Sequence, residues 1–429
     1  MRQFILISFI ILLYTQGIGT RNGIPGAIYN GLLFILPLGF LFLRNKRPVI
    51  PPGLFFVLLY LIWAILSSVY NGEGVLLGIM FSRYLIIGYL VLFATFNSYF
   101  SKNSLKRILK IIFFLFFVQI ITAIIEILIL ERAESIVGTM TSGSGGLATT
   151  FPMFAFSLFF SAFLFLKKLK YLLIGISFMV IGYASGKLGI YFLIPSLAFI
   201  GYAFYLWIDK RPILNKQTLS MLIGFSLIMV LIVFVLPSAD KRTENLNMSN
   251  LSLLERIDTF VSFAEKGESM VVDGYTISRS STSERIIKET FKRAPDVFLF
   301  GHGFSAYQAM GQTLGKGAFE KYKIVYGITG WSYDALVIGW PGVLIHLLFF
   351  LSIFKKTLKI YRESTFNTLG KTLSFACLLN FFTFLINYFF YNFNFTVGGW
   401  VICMHLFFSG LILAPQYRAL FIKNITSNE

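Results

Sequence analysis

The chain has 429 residues, of which 56% are hydrophobic, 18% aromatic and only 13% charged. That balance excludes an ordinary soluble domain and a disordered chain, and places the sequence among polytopic membrane proteins. The net charge of +18 argues against nucleic acid once the basic residues are mapped, because they follow the loops between apolar stretches and form no single basic patch.

In chain order, twelve apolar stretches read as spans: roughly residues 4–20, 25–43, 53–70, 75–97, 109–130, 151–166, 171–184, 188–207, 217–236, 333–354, 372–391 and 398–415. The seventh is short and its border with the eighth is poorly marked. The expected fold is therefore an all-α polytopic membrane protein with about 12 transmembrane helices. Residues 1–236 carry helices 1–9, residues 237–332 form one large external loop, and residues 333–429 carry helices 10–12 and a tail. The first stretch carries Arg2 and an apolar run with no small-residue cleavage site, so it is expected to stay as a span that also targets the chain.

Orientation follows from the cations. Arg44, Lys46 and Arg47, then Lys102, Lys106, Arg107 and Lys110, then Lys167, Lys168 and Lys170 mark alternate loops. Lys210, Arg211 and Lys216, then Lys355, Lys356, Lys359, Arg362 and Lys371, and finally Arg418 and Lys423 continue the series. Together with Arg2, these cations exceed the acids on their side by 18, which is the whole net charge of +18. The positive-inside rule makes that side cytoplasmic and places both termini there. Cys377 and Cys403 lie inside the last two spans, which leaves no disulfide framework or cysteine-based metal site.

Arg83 stands well inside the fourth span, where a guanidinium is costly and by default marks a functional or paired site; snorkelling or a pair with Glu126 is the structural alternative. Glu126 is the only carboxylate in the first nine spans. The Gly-, Ser- and Thr-rich loop after the fifth span can fold back and offer amides and hydroxyls to a polar ligand, or can be a plain connection. Lys187, at the outer turn between spans seven and eight, can join Arg83 and Arg285 in a cationic patch at the outer surface.

The long loop holds twelve cations against eleven acids. Residues 249–266 read as one amphipathic helix, with Leu253, Ile257, Phe260 and Ala264 on one stripe. Residues 281–307 contain a second. Ser281 and Glu284 make a capping box, and Ala294-Pro295 ends the helix. Arg285, Lys288 and Lys292 fall on one face, with Ile286, Ile287 and Phe291 on the other. With Arg279, these cations suit a phosphorylated lipid substrate, although an ordinary amphipathic surface helix shows the same pattern.

Twelve spans, cytoplasmic termini and one large external loop between spans nine and ten resemble the O-antigen polymerase and ligase superfamily, of the Wzy and WaaL kinds. Fifteen residues separate Arg285 from Gly301 in FLFGHGFSAY, a spacing similar to the arginine-to-glycine signature of polymerase external loops. DALVIGWPG, residues 334–342, resembles the family's polar residue ahead of a Gly-x-x-Gly at the start of span ten. Asp334 stands where ligases carry a His-Asn pair, which favours the polymerase. The loop after span five carries no second arginine signature, since the residue sixteen positions after Arg132 is Ala148.

The resemblance implies a glycosyltransferase that polymerises undecaprenyl-pyrophosphate-linked repeat units at the outer face of a bacterial inner membrane; with no DxD-type carboxylate cluster on the outer side, it is expected to be metal-independent and to need no cofactor. It also implies membrane lipid and a chain-length regulator protein as partners. In that scheme Arg285 meets the pyrophosphate, Arg83, Lys187 and the other loop cations assist, and Gly301 shapes the binding loop. Asp334, Glu126 or His302 is the base, with Asp334 first in order. The alternatives are an O-antigen ligase and a lipid-linked oligosaccharide flippase or transporter; the latter usually shows matched halves and short loops.

Overall fold

The protein is described by a computed structural model at residues 2–42, 48–128, 139–140, 145–184, 189–212, 220, 223–224, 270–272, 275–277, 279–292, 295–304, 328–391 and 399–421. Within these residues the chain is helical apart from one short hairpin. The helices are α1 (Arg2–Arg21), α2 (Gly26–Phe42), α3 (Leu54–Tyr70), α4 (Val75–Asn97), α5 (Lys102–Leu128), α6 (Gly145–Leu166), α7 (Leu169–Ser177), α8 (Met179–Ala184) and α9 (Ile190–Ile208). The second half adds α10 (Arg279–Lys292), α11 (Asp296–Phe300), α12 (Gly330–Glu363), α13 (Thr368–Phe390), α14 (Gly399–Leu413) and α15 (Pro415–Phe421). The hairpin pairs β1 (Met270–Val272) with β2 (Tyr275–Ile277), antiparallel, Val271 opposite Thr276. Its β-branched and aromatic residues flank Asp273-Gly274 in sequence, a hairpin signal.

Apolar runs become helices because only a helix satisfies every backbone group within its own segment where water is absent. Among the described residues, five helices are long and apolar enough to cross a membrane: Val75–Asn97, Lys102–Glu126, Leu147–Leu166, Gly330–Glu363 and Thr368–Phe390. Six further apolar helices are shorter, among them Leu54–Tyr70 and Gly399–Leu413. The expected ninth span, 217–236, lies almost wholly outside the described residues, as does the amphipathic stretch 249–266.

Boundaries differ from the sequence expectation where polar residues continue a helix. α5 starts at Lys102 rather than at 109, because Ser101 Oγ accepts from Ser104 N at 3.3 Å and caps a basic first turn. α6 starts at Gly145, so the end of the Gly-rich loop is buried helix, with Thr149 and Thr150 inside. Thr139, earlier in that loop, folds into the bundle: its amide donates to Gln119 Oε1 at 2.8 Å, and Gln119 Nε2 donates to its hydroxyl at 2.9 Å. These groups are therefore already bonded. The short seventh span is divided into α7 and α8 at Phe178.

α4 lies at the centre of one layer, packed on α3, α2 and α14, while α6 packs on α13, α7 and α9. α12 joins the two groups through α3 and α13, and carries α10 and α11 on its flank. Aromatic rings fill the interior, with Phe116, Phe151, Phe154 and Phe178 gathered around one another and Trp400 against the first three.

Candidate functional site

α12 is two helices across a break. Gly339 has φ 79° and ψ 176°, and Pro341 follows it. Proline suits the first turn of the restarted helix, where its missing N–H is not needed. The sequence GWPG thus encodes a stop and a start inside one apolar stretch. The cost is that the last carbonyls of the first segment, 330–338, need donors from elsewhere, and in an apolar layer each one left alone costs several kcal/mol on the order of burying a bare amide.

The loop after α11 supplies two of those donors. His302 N–H donates to Leu336 O at 2.7 Å and Gly303 N–H to Val337 O at 3.0 Å. α3 supplies the others. Trp63 Nε1–H lies 3.0 Å from Ile338 O and 3.2 Å from Leu299 O. Ser67 Oγ lies 2.6 Å from Phe300 O and 3.2 Å from Val337 O. The same two side chains therefore hold both the broken helix and α11. At the α3–α4 turn, Glu73 Oε2 accepts from Phe304 N at 2.7 Å, which anchors the loop's far side.

This docking depends on glycine. Gly301 has φ +65°, and a Cβ there would lie 2.5 Å from the carbonyl of Val337. Gly303 has φ +82° and Glu73 in the same relation. The FLF residues of α11 complete the seat: Phe300 stacks on Trp63 at 5.4 Å and on Tyr70 at 4.5 Å, and Phe298 stacks on Trp340 at 6.2 Å.

α10 then lies against the restarted helix. Trp340 Nε1 donates to Thr290 Oγ1 at 3.0 Å, and Phe291 meets the rings of Trp340 and Phe298. The buried stripe is Thr282, Ile286 and Thr290, whereas Ile287 and Phe291 stay exposed. The expected apolar face of Ile286, Ile287 and Phe291 is thus rolled, because Thr290 must reach the Trp340 donor. The helix also starts at Arg279, so Ser281 is inside it and Ser281–Glu284 is not its cap. A true capping box is found at Thr329 and Ser332, at the start of α12, where Ser332 Oγ accepts from Thr329 N at 2.9 Å.

The sequence candidates separate into groups. Gly301 and His302 lie at the break itself, with the His302 side chain half-buried. Arg285 is half-buried on α10, with Lys288 and Lys292 exposed beside it. Lys288 Nζ pairs with Glu284 Oε1 at 2.5 Å, and this hydrogen bond and charge hold the Glu284 carboxyl below its ordinary range. Arg279 begins the helix. Arg83, on α4, donates to Met80 O at 2.8 Å and lies 4.7 Å from the Tyr84 ring centroid, while its Nε is buried without a hydrogen-bond partner. Glu126 is buried near the end of α5, which packs on α8 and α1, away from the break. Lys187 lies outside the described residues.

Asp334 differs from its expected place at the interface. It is fully buried on the first segment of α12. Its Oδ2 accepts from Tyr388 Oη at 2.8 Å and lies 3.1 Å from His346 Nδ1. The His346 and Tyr388 rings stack at 4.2 Å. Its polar neighbours are thus His346, on the same helix beyond the break, and Tyr388 on α13. Oδ1 is buried with no hydrogen-bond partner. Sequence reasoning overlooked His346, Tyr388, Trp63, Ser67 and Glu73. Trp63 and Ser67 on α3 and Asn71 at its C-cap recur every four residues, a polar stripe legible at the end of an otherwise apolar span; Tyr388 gives no comparable signal.

Compared with protein-family models and with curated proteins, the chain matches none.

Proposed function

We propose that the protein polymerises glycan repeat units carried on undecaprenyl pyrophosphate, at the end of the bundle where α11 docks on the broken helix. The observation that carries this reading is the anchoring of Arg285's helix, through Thr290 and Trp340, on the same helix break that receives the 301–304 loop. One rigid seat thereby holds a cationic helix beside a histidine-bearing loop. In this scheme the chain crosses a bacterial inner membrane twelve times, with cytoplasmic termini and the seat outside. The product is O-antigen or a capsular glycan.

The acceptor hydroxyl oxygen of one repeat unit attacks the anomeric carbon of the other lipid's glycan. A glycosidic C–O bond forms, the C–O bond to pyrophosphate breaks, and undecaprenyl pyrophosphate leaves with the bonding pair. Arg285 meets the pyrophosphate, because its planar donors match phosphate oxygens and stabilise the charge that develops as the bond breaks. Lys292 adds positive potential beside it. A base must touch the hydroxyl it deprotonates. His302, half-buried on the docked loop, takes this part; Asp334, fully buried and already held, supports the helix beneath it.

A strain lacking the protein tests the scheme against its rivals. Loss of a polymerase leaves single repeat units on the final acceptor. Loss of a ligase leaves long polymer on the lipid carrier, and loss of a flippase leaves repeat units on the cytoplasmic side; either of those two outcomes would reject the proposal.

A further inference from the structure

The break at Gly339 leaves the two segments of α12 without continuous backbone hydrogen bonding, so something else must fix their angle. Asp334 lies on the first segment and His346 on the second, and their side chains meet across the break at 3.1 Å. Tyr388, from α13, donates to the same carboxylate oxygen at 2.8 Å and stacks on the His346 ring. All three are essentially unexposed. The packing around them is specific: His346 also faces Phe350 at 5.4 Å, and Phe350 faces Phe384 at 4.8 Å.

The first segment is also the one whose carbonyls receive the His302 and Gly303 amides. A connected path therefore runs from His346 and Tyr388, through Asp334 and the 330–338 segment, to the backbone of His302. Each step is a hydrogen bond, a close polar contact or a stretch of regular helix, so rotation of the first segment would carry the loop with it.

We propose that His346 and Tyr388 are positioning residues that set the place of the His302 loop through Asp334. The catalytic consequence rests on the polymerase reading; the mechanical one does not. With Oδ1 already lacking a hydrogen-bond partner, Asp334 is held through Oδ2, and loss of either Oδ2 contact leaves a buried polar group short of a partner. The first segment is then free to tilt, and the loop amides open.

The test compares purified full-length wild type with His346→Leu, His346→Asn and Tyr388→Phe. Asparagine keeps an amide donor near the Nδ1 position, and phenylalanine keeps the ring while removing only the hydroxyl. Hydrogen exchange is followed for the peptides covering 298–304 and 330–338. The expected result is exchange about tenfold faster in both peptides for His346→Leu and Tyr388→Phe, with unchanged protection in α6 and α14, since local opening is read separately from global unfolding. His346→Asn stays nearer wild type. Turnover falls with KM for the lipid-linked repeat unit nearly unchanged, and His346→Asn restores part of it. Wild-type-like exchange in Tyr388→Phe overturns the proposal, as does a uniform rise over the whole chain, which would mark an ordinary packing contact. Altered exchange in a protein whose wild type makes no polymer leaves the positioning intact and rejects the polymerase reading alone.

Discussion

Gly339 has the carbonyl oxygen of Leu299 where its Cβ would stand. The glycine breaks α12, and the space left by its missing side chain is filled by the end of α11. Any side chain at 339 meets both a left-handed backbone and an occupied space. Gly339→Ala is expected to cost about 1–3 kcal/mol for the backbone conformation alone, with the steric overlap added. Thermal unfolding of the detergent-solubilised protein checks it. A melting temperature equal to wild type would mean that α11 does not seat as described.

The α3 donors give a second prediction. Ser67→Ala removes a hydroxyl that faces both Phe300 O and Val337 O, and Trp63→Phe removes an indole N–H shared by Leu299 O and Ile338 O. Each change is expected to lower stability by about 1–3 kcal/mol, the cost of a buried group losing its partner. Because both act on one joint, the double variant should depart from additivity. A double-mutant cycle by denaturant or thermal unfolding measures the coupling.

The helix break was partly legible in the sequence. GWPG announces a stop and a restart, and the spacing from Arg285 to Gly301 draws attention to the loop that fills the gap. The site beneath was not legible. Asp334 reads as an interfacial carboxylate from its place at the start of a span, but its environment is made by His346, twelve residues along, and by Tyr388 on the next helix. Neither contact leaves a local signal. The same limit applies to α10, where helical periodicity identifies an amphipathic helix. Which side is buried depends on Trp340 reaching Thr290, a tertiary contact fifty residues apart in the chain. The Ser281–Glu284 pair illustrates a local rule overridden, since a helix already begun at Arg279 has no use for a cap at Ser281.

His302 and Asp334 should respond differently to conservative change. His302→Gln keeps polarity and approximate size but removes the basic nitrogen, so turnover should fall by roughly 10²–10⁴-fold with protein level preserved. Asp334→Asn should instead lower membrane abundance and thermal stability, with turnover per folded molecule changed far less, because the amide disturbs contacts to Tyr388 and His346. Normal abundance with abolished turnover in Asp334→Asn would return the role of base to Asp334.

On α10, Glu284 offers a pH test. Its carboxyl is held low by Lys288, so the pair's contribution is present above the ordinary carboxylate range and is lost as pH falls through the lowered folded value. Amide protection in α10, corrected for intrinsic exchange, should therefore fall only as pH drops below the ordinary carboxylate range, and Glu284→Gln should abolish that step. The same variant should leave polymer formation unimpaired, since Lys288 is then released beside Arg285.

The proposed topology takes its sidedness from the alternating cations. Cysteines placed at Lys102, Lys168 and Lys356 should be protected in whole cells from an impermeant thiol reagent, while one at the exposed Lys288 should react. External labelling at 168 would overturn the twelve-span topology.

The most direct measurement is chain growth by purified protein in lipid vesicles, supplied only with a synthetic undecaprenyl-pyrophosphate-linked repeat unit and read as a ladder on a gel. Wild type should produce a ladder with release of undecaprenyl pyrophosphate. Arg285→Ala should produce none at equal folded protein, and Arg285→Lys should restore it in part, because lysine keeps the charge without the planar fork. A full ladder from Arg285→Ala, or none from a folded wild type, would contradict the account.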